Sequence, residues 1–474
     1  MPRLPLRLSP LAAIVLLATG CAVAPPPAPD EIRQQAMGDV DVSRAWQAAA
    51  TDAAQVQDNW LASFADPQLD ALVQEALAHN PDLRIAAARV EQAAQHLVVA
   101  QSGLKPSVGI AGTGGMKGGG GGDTSSALQG IVAAATWELD LWGRVRYARN
   151  AARESHASTQ ADFEFARQSL AAATAKAWFS AIRMTRRAAI AREMAASAQR
   201  LESLAEDRER VGVGTETETA QARASARDLE DTLQQLELAR GQALRALEVL
   251  IGRYPAADVA TRADLVPLPG PMPAGLPLQM LERRPDVIAA ERRVAAAFNR
   301  IGEAKAARLP QLSLNLNFGA WDSEILQLKE DFENPAGGLG ARLLAPLYQG
   351  GALNARVEIR TLEQKEALAA YAGVALRALN EVEDALAAGA TLAKRVSLLT
   401  QSLDEQTTTL NRVQERFDVG RIDRRTVEQQ RISVENARIA LLDVRTEALT
   451  QRVNLHLALG GSFDVPQRQA DARP

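Results

Sequence analysis

An internal duplication constrains the fold of this chain more than any other feature of its sequence. Residues 80–115 align without a gap on residues 284–319. The matched positions keep their order over most of the chain, so the sequence predicts one structural unit built twice. The matches are Pro81 with Pro285, Asp82 with Asp286, Pro106 with Pro310, Leu141-Trp142-Gly143 with Leu347-Tyr348 and Gly350, Val213-Gly214 with Val419-Gly420, and Gly252 with Gly460.

Proline marks the boundaries of the two copies. None occurs from 107 to 254 or from 347 to 465, whereas several fall between 255 and 277. Because proline breaks helix interiors, the two stretches without it are predicted to be helical and the proline-rich one to be an extended linker. The predicted domains are a signal peptide (1–20), a Pro-rich spacer (21–60), a first repeat (61–254), a Pro-rich linker (255–278), a second repeat (279–462) and a C-terminal tail (463–474).

The glycines inside each copy set the predicted helix lengths. Long helices are expected over about 144–211 and 352–419, each roughly 100 Å long at 1.5 Å per residue. Each is followed by a Val-Gly turn and a return helix, over about 215–251 and 421–459, and a shorter helix over 82–104 precedes the strands of the first copy. A heptad seam on the second long helix predicts coiled-coil packing. Its members are Leu379, Val382, Leu386, Ala393, Val396, Leu403, Leu410 and Phe417.

Each copy also carries a pair of segments with the two-residue period of a strand. In Gln311–Gly319, leucines and Phe318 alternate with serine and asparagine, and Leu339–Leu347 has a similar apolar stripe. In the first copy the stripe runs from Ile131 to Leu141, and its partner Ser107–Thr113 is rich in glycine. Such strands fit the wall of a membrane barrel, with the loops 114–127 and 320–337 on the extracellular side. The period alone equally allows a soluble sheet that is buried on one face.

Four strands leave two open edges. Their unpaired backbone groups would be unsatisfied in hydrocarbon, and the smallest membrane barrels have eight strands. Several chains must therefore contribute to one barrel, and three chains would supply twelve strands.

The N-terminus reads as an export signal. Arg3 and Arg7 precede a short apolar run, and the only cysteine of the chain, Cys21, follows Gly20. The segment resembles a bacterial lipobox, although Ala18 stands where leucine is commonest, and it predicts cleavage before Cys21 and acylation of its thiol. An ordinary signal followed by a stray cysteine is the alternative. Ala22 directly follows this cysteine, and the residue at that position resembles the pattern of lipoproteins that are sorted to the outer membrane.

The sequence holds no recognisable catalytic, metal or cofactor site. A formal net charge of −4 does not favour nucleic acid as a partner. The four histidines lack metal-ligand spacing, and the glycine run 118–122 lacks the Lys-Ser/Thr of a phosphate loop. No G-x-S-x-G sequence occurs either. The chain is therefore predicted not to be an enzyme.

Four segments resemble the TolC-type outer membrane efflux factors, and in particular their OprM/NodT-like lipoprotein branch. They are Trp60–Arg84, Trp137–Arg144, Leu281–Asp286 and Pro346–Gly351. The resemblance implies a mainly α fold with a small β part: a long α-helical coiled-coil barrel and four transmembrane strands per protomer, closing as a twelve-stranded barrel in a homotrimer. It also implies a location in the outer membrane with an extension into the periplasm.

The same resemblance implies the outer-membrane channel of a tripartite efflux pump, which passively conducts small molecules such as drugs. Its partners would be a periplasmic adaptor (membrane fusion) protein, an inner-membrane pump of the RND type and outer-membrane lipid. A channel for protein secretion is one alternative. A periplasmic coiled-coil adaptor or structural lipoprotein is another, but it should have one hairpin and no lipid-facing strands.

The two helical turns are the predicted contact with the adaptor. The residues concerned are Val213, Gly214 and Thr215 in the first turn and Val419, Gly420 and Arg421 in the second. Thr426 and Gln429 occupy places where familiar members of the family carry an acidic ring. We instead predict a gate in which Glu216 or Glu218 pairs with Arg421, Arg424 or Arg425, with Asp423 beside them. The alternative is that both turns are charged merely because they are exposed.

Overall fold

The structure is a computed structural model that describes residues 23–38, 40, 42, 46–48, 58–113, 129–270, 274–322 and 336–463. The predicted signal peptide, Cys21, part of the spacer and most of the tail lie outside these residues, as do the strand-connecting segments 114–128 and 323–335. The fold is mainly α with a small β part, as predicted. None of the described helices is both long and apolar enough to cross a membrane.

The elements follow the duplication. A first helix, α1 (Pro29–Met37), and a short 3-10 helix (Trp60–Phe64) precede the first copy. The first copy comprises α2 (Pro67–His79), α3 (Pro81–Ser102), β1 (Ser107–Thr113), β2 (Gln129–Leu139), α4 (Arg144–Arg210) and α5 (Glu216–Leu250). The second comprises α6 (Pro277–Arg283), α7 (Pro285–Ala306), β3 (Gln311–Asp322), β4 (Ala336–Leu344), α8 (Ala352–Asp418) and α9 (Arg424–Ala458).

Three of the four pairs of equivalent helices have equal lengths, whereas α2 has 13 residues and α6 has 7. Both α4 and α8 contain 67 residues, both α5 and α9 contain 35, and both α3 and α7 contain 22. The predicted long helices, return helices and the shorter helix of the first copy are thus confirmed to within two residues at each end, except at the start of α9. That helix begins three residues later than predicted because Asp423 caps it.

The strands differ from prediction at both ends of the sheet. β3 runs to Asp322, three residues past its predicted end, and β4 begins at Ala336, three residues before its predicted start, so the predicted loop 320–337 was too long at both ends. The stripe predicted to reach Leu141 stops at Leu139, because the Asp140 carboxylate accepts the backbone N–H groups of Val145 and Arg146 and turns the chain into α4. The strand predicted to end at Leu347 ends at Leu344. Pro346 has no N–H to donate and restricts the residue before it, so the pairing stops ahead of it.

The described residues divide into two compact units, which are taken separately. The sheet unit is the described part of Met1–Val40, Ala88–Ala161 and Ile288–Val374, and it contains all four strands. The hairpin unit is the described part of Asp41–Ala87, Asp162–Val287 and Ala375–Pro474. Both units draw on both copies of the repeat.

In the hairpin unit, short helices are joined end to end by equivalent side chains. The Asn80 amide, just before α3, donates to the Leu250 carbonyl at the end of α5 at 3.0 Å. In the second copy the Arg284 guanidinium, just before α7, donates to the Ala458 carbonyl at the end of α9 at 3.1 Å. Each bond satisfies one of the carbonyls that a helix C-terminus leaves without an intrahelical partner. The two copies therefore make equivalent hydrogen bonds at this junction with different residues, asparagine in the first copy and arginine in the second.

The core of the hairpin unit is aromatic. Trp60, Phe64, Trp178 and Phe179 are all nearly inaccessible to solvent. Buried Asp66 caps α2 and accepts the indole N–H of Trp178 at 2.9 Å. This one carboxylate therefore ties the start of the first copy to the long helix α4.

The predicted heptad seam of α8 lies mostly inside. Val382 and Leu386 are buried, and all the other seam residues except Ala393 are half-buried. Val396 and Leu403 pack against a cluster that contains Leu441 of α9. The seam therefore joins the two helices of the second hairpin.

Candidate functional site: the sheet face and the helical turns

The strand register builds one continuous apolar face on the sheet. The strands lie in the order β1-β2-β3-β4 and all neighbours are antiparallel. One row of paired residues, Val108, Ala135, Leu316 and Leu339, crosses all four strands. Since side chains alternate between the faces of a strand, every second residue beside this row joins the same face. That face also carries Ile110, Ile131, Ala133, Trp137, Leu312, Leu314, Phe318, Ala341 and Leu343.

This apolar face is exposed in the single chain. Val108 and Ile110 are each 77% exposed and Leu339 is 79% exposed. A soluble sheet would bury such a face against other parts of the protein. The alternation predicted for Gln311–Gly319 is present, and the exposure favours the lipid-facing interpretation over the half-buried soluble one.

The opposite face of the sheet is mostly polar or small, although Val132 and Leu344 also lie on it. Its hydroxyl groups bond across the strands, with Ser107 and Thr136 at 2.7 Å. Glu138, Ser313 and Arg342 form one row across β2, β3 and β4. The two faces of the sheet therefore suit two different solvents, one hydrocarbon and one aqueous.

Ion pairs and indole groups fix the end of the sheet from which α4 starts. Arg144 makes two hydrogen bonds to the Glu138 carboxylate, at 3.0 and 2.6 Å, and this bonding raises the pKa of Arg144. The Trp137 indole donates to the Leu104 carbonyl, and that of Trp142 donates to the Pro310 carbonyl. Amphipathic indoles at one end of an apolar strand face are typical of a membrane interface.

The first helical turn joins α4 to α5. Gly212 has a φ of +77°, and the N–H of Val213 donates to the Arg208 carbonyl at 2.9 Å. Thr215 caps α5, and its partner in the capping box is Glu218, which accepts the Thr215 N–H at 3.2 Å. Val213 remains 62% exposed.

The second turn, between α8 and α9, has the same geometry. Gly420 has a φ of +72°, and the N–H of Arg421 donates to the Arg416 carbonyl at 2.9 Å. Asp423 caps α9 and pairs with Arg425 at 2.7 Å. Burial opposes ionisation of Asp423, but its bonds to Arg425 and to the Thr426 N–H outweigh that effect and lower its pKa.

The two turns correct one predicted match. Gly212 and Gly420 both take the left-handed conformation that ends a helix, and Thr215 and Asp423 both act as caps. Val211-Gly212 is therefore the equivalent of Val419-Gly420, and the predicted match with Val213-Gly214 was wrong by one dipeptide. The sequence Val-Gly-Val-Gly offers both matches, and only the backbone conformation distinguishes them.

The predicted gate residues have local partners in the single chain. Glu218 serves the capping box, Arg425 pairs with Asp423, and Arg424 lies 3.6 Å from the Glu428 carboxylate. Glu216 and Arg421 are exposed. Among the described residues, no ion pair joins the acidic residues of the first turn to the arginines of the second. The gate pairing stays a prediction about the assembled channel.

An ion pair with a buried carboxylate, which the sequence did not indicate, links the two hairpins. Glu428 of α9 is only 1% exposed and accepts a hydrogen bond from Arg200 of α4 at 2.8 Å. Burial raises the pKa of Glu428, but Arg200 and Arg431 outweigh this and lower it. A charged residue next to the apolar position Val427 was the only signal in the sequence.

Within the described ranges, no group of three or more His, Cys, Asp or Glu residues could hold a metal ion. Cys21, the predicted acylation site, lies outside the described residues.

Comparison with known proteins gives one consistent result. The model of the outer membrane efflux protein family matches residues 72–253 and 276–461. The pyoverdine export outer membrane protein OpmQ of Pseudomonas putida is 30% identical, over 89% of this chain and 93% of its own length. The outer membrane protein OprJ of Pseudomonas aeruginosa is also 30% identical, over 89% and 91%. The solved structure of VceC from Vibrio cholerae superposes with a TM-score of 0.74 at 25% identity, covering 86% of this chain and all of VceC.

Proposed function

Because the chain belongs to the outer membrane efflux protein family, we propose that three copies of it close one pore that small molecules, such as drugs, cross passively. The protein is an outer-membrane channel component of an efflux pump, located in the outer membrane and extending into the periplasm. The adaptor alternative was wrong, since the described part of the chain has four strands and two long hairpins. We assign the protein no catalytic activity.

The observation that carries the trimer is the four-stranded sheet with an exposed apolar face. β1 and β4 are its edges, and in hydrocarbon their free N–H and C=O groups need partners. Three copies give a closed barrel of twelve strands, within the range of known membrane barrels. The polar face then lines the lumen and the apolar face meets lipid.

The partners follow from the same architecture. A tripartite pump supplies an adaptor and an inner-membrane pump, and we propose an adaptor of the membrane fusion type and a pump of the RND type. The two turns are the surfaces that we assign to the adaptor. Val213, Gly214 and Thr215, together with Val419, Gly420 and Arg421, lie in or directly beside these solvent-exposed turns.

Acylation of Cys21 is part of the proposal and rests on the N-terminal sequence. Two described residues support an anchor close to the sheet: the Ala24 N–H donates to the Tyr147 hydroxyl at 3.0 Å, and Val23 lies against Gly143, in the turn after β2. The intact mass of the mature protein should show cleavage after Gly20 and added acyl chains. An unmodified Cys21 would remove the lipid anchor from the proposal.

The trimer is tested on protein extracted in detergent. Light scattering coupled to gel filtration should give a mass near three chains, and the same fraction should form pores in planar bilayers. A stable monomer without conductance would contradict the proposal. Protein that has the mass of three chains but forms no pores would support the trimer and contradict its role as a channel.

A further inference from the structure

A groove in the hairpin unit has an apolar floor and no function in the proposed channel. It consists of two adjoining cavities, of about 580 and 310 Å³, which share Leu268 and Ala448. The linker residues 265–268, Val396 and Leu403 of α8, and Leu449 of α9 form its walls. Ala448 and Leu449 are buried at its base. We call it the arginine groove because arginines of α9 line it.

Four arginines of α9 are spaced by seven residues. They are Arg431, Arg438, Arg445 and Arg452, and the last three line the groove. Residues seven apart lie on one face of a helix, about 10.5 Å from one another along its axis. The groove therefore has a row of cationic side chains along one wall.

The first two arginines of this row are neutralised and the last two are not. Arg431 lies 3.9 Å from Glu428, and Arg438 pairs with Glu435 at 2.7 Å, each glutamate standing three residues before its arginine. Leu442 and Leu449 take the corresponding places before Arg445 and Arg452. Among the described residues, no carboxylate forms an ion pair with Arg445 or Arg452.

Arg452 is held in the groove without an acidic partner. Its guanidinium donates to the Pro269 carbonyl at 3.2 Å, and burial lowers its pKa. Asp264, the one carboxylate among the described residues that line the groove, pairs with Arg186 at 3.1 Å. A partly buried cation that lacks a counter-ion is a favourable site for an added anion.

We propose that the arginine groove binds an acidic amphipathic helix of a partner protein. Apolar side chains of that helix pack on the floor of the groove, and carboxylates one heptad apart pair with Arg445 and Arg452. Helix-in-groove recognition uses this i, i+7 spacing of anchors. A small anion would satisfy one arginine and leave the other without a partner, so the two cations one heptad apart favour a helix.

The probe is a synthetic 21-residue helical peptide with leucine at core heptad positions and glutamate at every seventh position. Its affinity for the intact full-length protein is measured by fluorescence anisotropy at low salt. The double variant Arg445→Glu, Arg452→Glu should lose at least about tenfold in affinity and should gain affinity for the same peptide with lysine replacing those glutamates. The matched control Arg412→Glu, an exposed arginine of α8, should bind both peptides as the unchanged protein does.

Three results would overturn the proposal. The first is no binding of the glutamate peptide to the unchanged protein, and the second is equal affinity of the double variant for it. The third is protection of Arg445 and Arg452 from phenylglyoxal in the purified assembly without peptide, which would mean that a second copy already fills the groove. Peptide-dependent protection of both arginines supports it. If laurate binds through Arg452 and the peptide does not bind, the ligand of the groove is an amphiphilic anion and the proposed helix is wrong.

Discussion

His456 is a titratable residue in an aromatic core. Its ring stacks on Trp60 with 5.5 Å between centroids and lies edge-on to Phe64. Burial, together with the nearby charge of Arg452, lowers its pKa to about 3 from the ordinary value of 6.5. The folded protein therefore keeps this imidazole neutral at a pH where the unfolded chain takes up a proton.

We expect this histidine to weaken the fold in mild acid. Below pH 6.5 only the unfolded state gains a proton, so the free energy of unfolding falls with pH until the pH approaches 3. Between pH 7.5 and 5.5 the loss should be about 1 kcal/mol. Chemical denaturation at the two pH values measures it. His456→Phe should remove this part of the pH dependence, whereas the exposed His96→Phe should keep it; the same slope in both variants would contradict the assignment.

Gly302, in the sheet unit, occupies a position that has no room for a side chain. A Cβ atom at this position of α7 would lie 2.5 Å from the ring of Tyr147, whose hydroxyl accepts the Ala24 N–H. We expect Gly302→Ala to lower the free energy of unfolding by about 1 to 3 kcal/mol through overpacking. Thermal unfolding followed by circular dichroism measures the change.

The matched control for that substitution is Gly389→Ala. A Cβ at this position of α8 meets nothing within 4 Å. Alanine there should raise stability by about 0.5 to 1 kcal/mol, because glycine costs conformational entropy inside a helix. Equal effects of the two substitutions would show that contact with Tyr147 does not decide the result.

The helices could be predicted from the sequence because their signals are local. Absence of proline and paired glycines gave the lengths of α4 and α8 to within one residue at each end. The strand ends could not be predicted, since Asp140 turns the chain through bonds to backbone groups five and six residues ahead. The first turn was matched by the wrong dipeptide, because Val-Gly-Val-Gly does not reveal which glycine is left-handed.

Contacts between distant elements were outside what the sequence could indicate. The burial of Glu428 against Arg200 depends on how α9 packs on α4. The arginine row of α9 was visible as a seven-residue spacing, yet its two unpaired members stand out only once the partners of the other two are known. Such pairs need coordinates because they join residues that are far apart in the chain.

The apolar face of the sheet predicts opposite effects for neighbouring residues of β3. Leu316 lies on that face and Asn317 on the other. Leu316→Arg should place a cation in hydrocarbon, at a cost of about 2 to 4 kcal/mol per chain near the middle of the bilayer. Asn317→Arg, which faces the proposed lumen, should cost little.

The measurement for this pair is the fraction of assembled protein in membrane extracts, by gel filtration and by heat-dependent mobility in electrophoresis. Leu316→Arg should reduce the assembled fraction strongly, whereas Asn317→Arg should keep it and change the conductance. If both variants assemble equally well, the apolar face does not contact lipid.

At the scale of the whole molecule, the duplication explains why assembly is needed. Each copy contributes two strands and a hairpin, and together they form a sheet with edges at β1 and β4. In our proposal, further copies of the chain complete the barrel. In the proposed trimer each turn then occurs three times, so a small energy at one turn is multiplied by symmetry.

The last prediction concerns opening at these turns, where two sets of charges compete. In the single chain Arg424 and Arg425 lie beside Glu428 and Asp423, and Glu428 is held by Arg200. A latch from Glu216 or Glu218 to the arginines of the second turn would therefore form between copies. Exposed pairs contribute about 0.2 to 1 kcal/mol each, so three symmetric copies give about 0.6 to 3 kcal/mol. Each 1.4 kcal/mol shifts the ratio of open to closed channels about tenfold.

Reversing both glutamates to lysine should raise the open probability of single channels at low salt. Adding Arg424→Glu and Arg425→Glu should partly restore closure if these charges are the latch. Arg200→Met is the comparison, because it breaks the buried pair with Glu428 inside one chain and should open the channel with little dependence on salt, since buried pairs are screened less. If the reversed and the compensated variants leak equally and Arg200→Met has a large effect, the turns are not the latch. The gate would then be assigned to the Arg200–Glu428 pair.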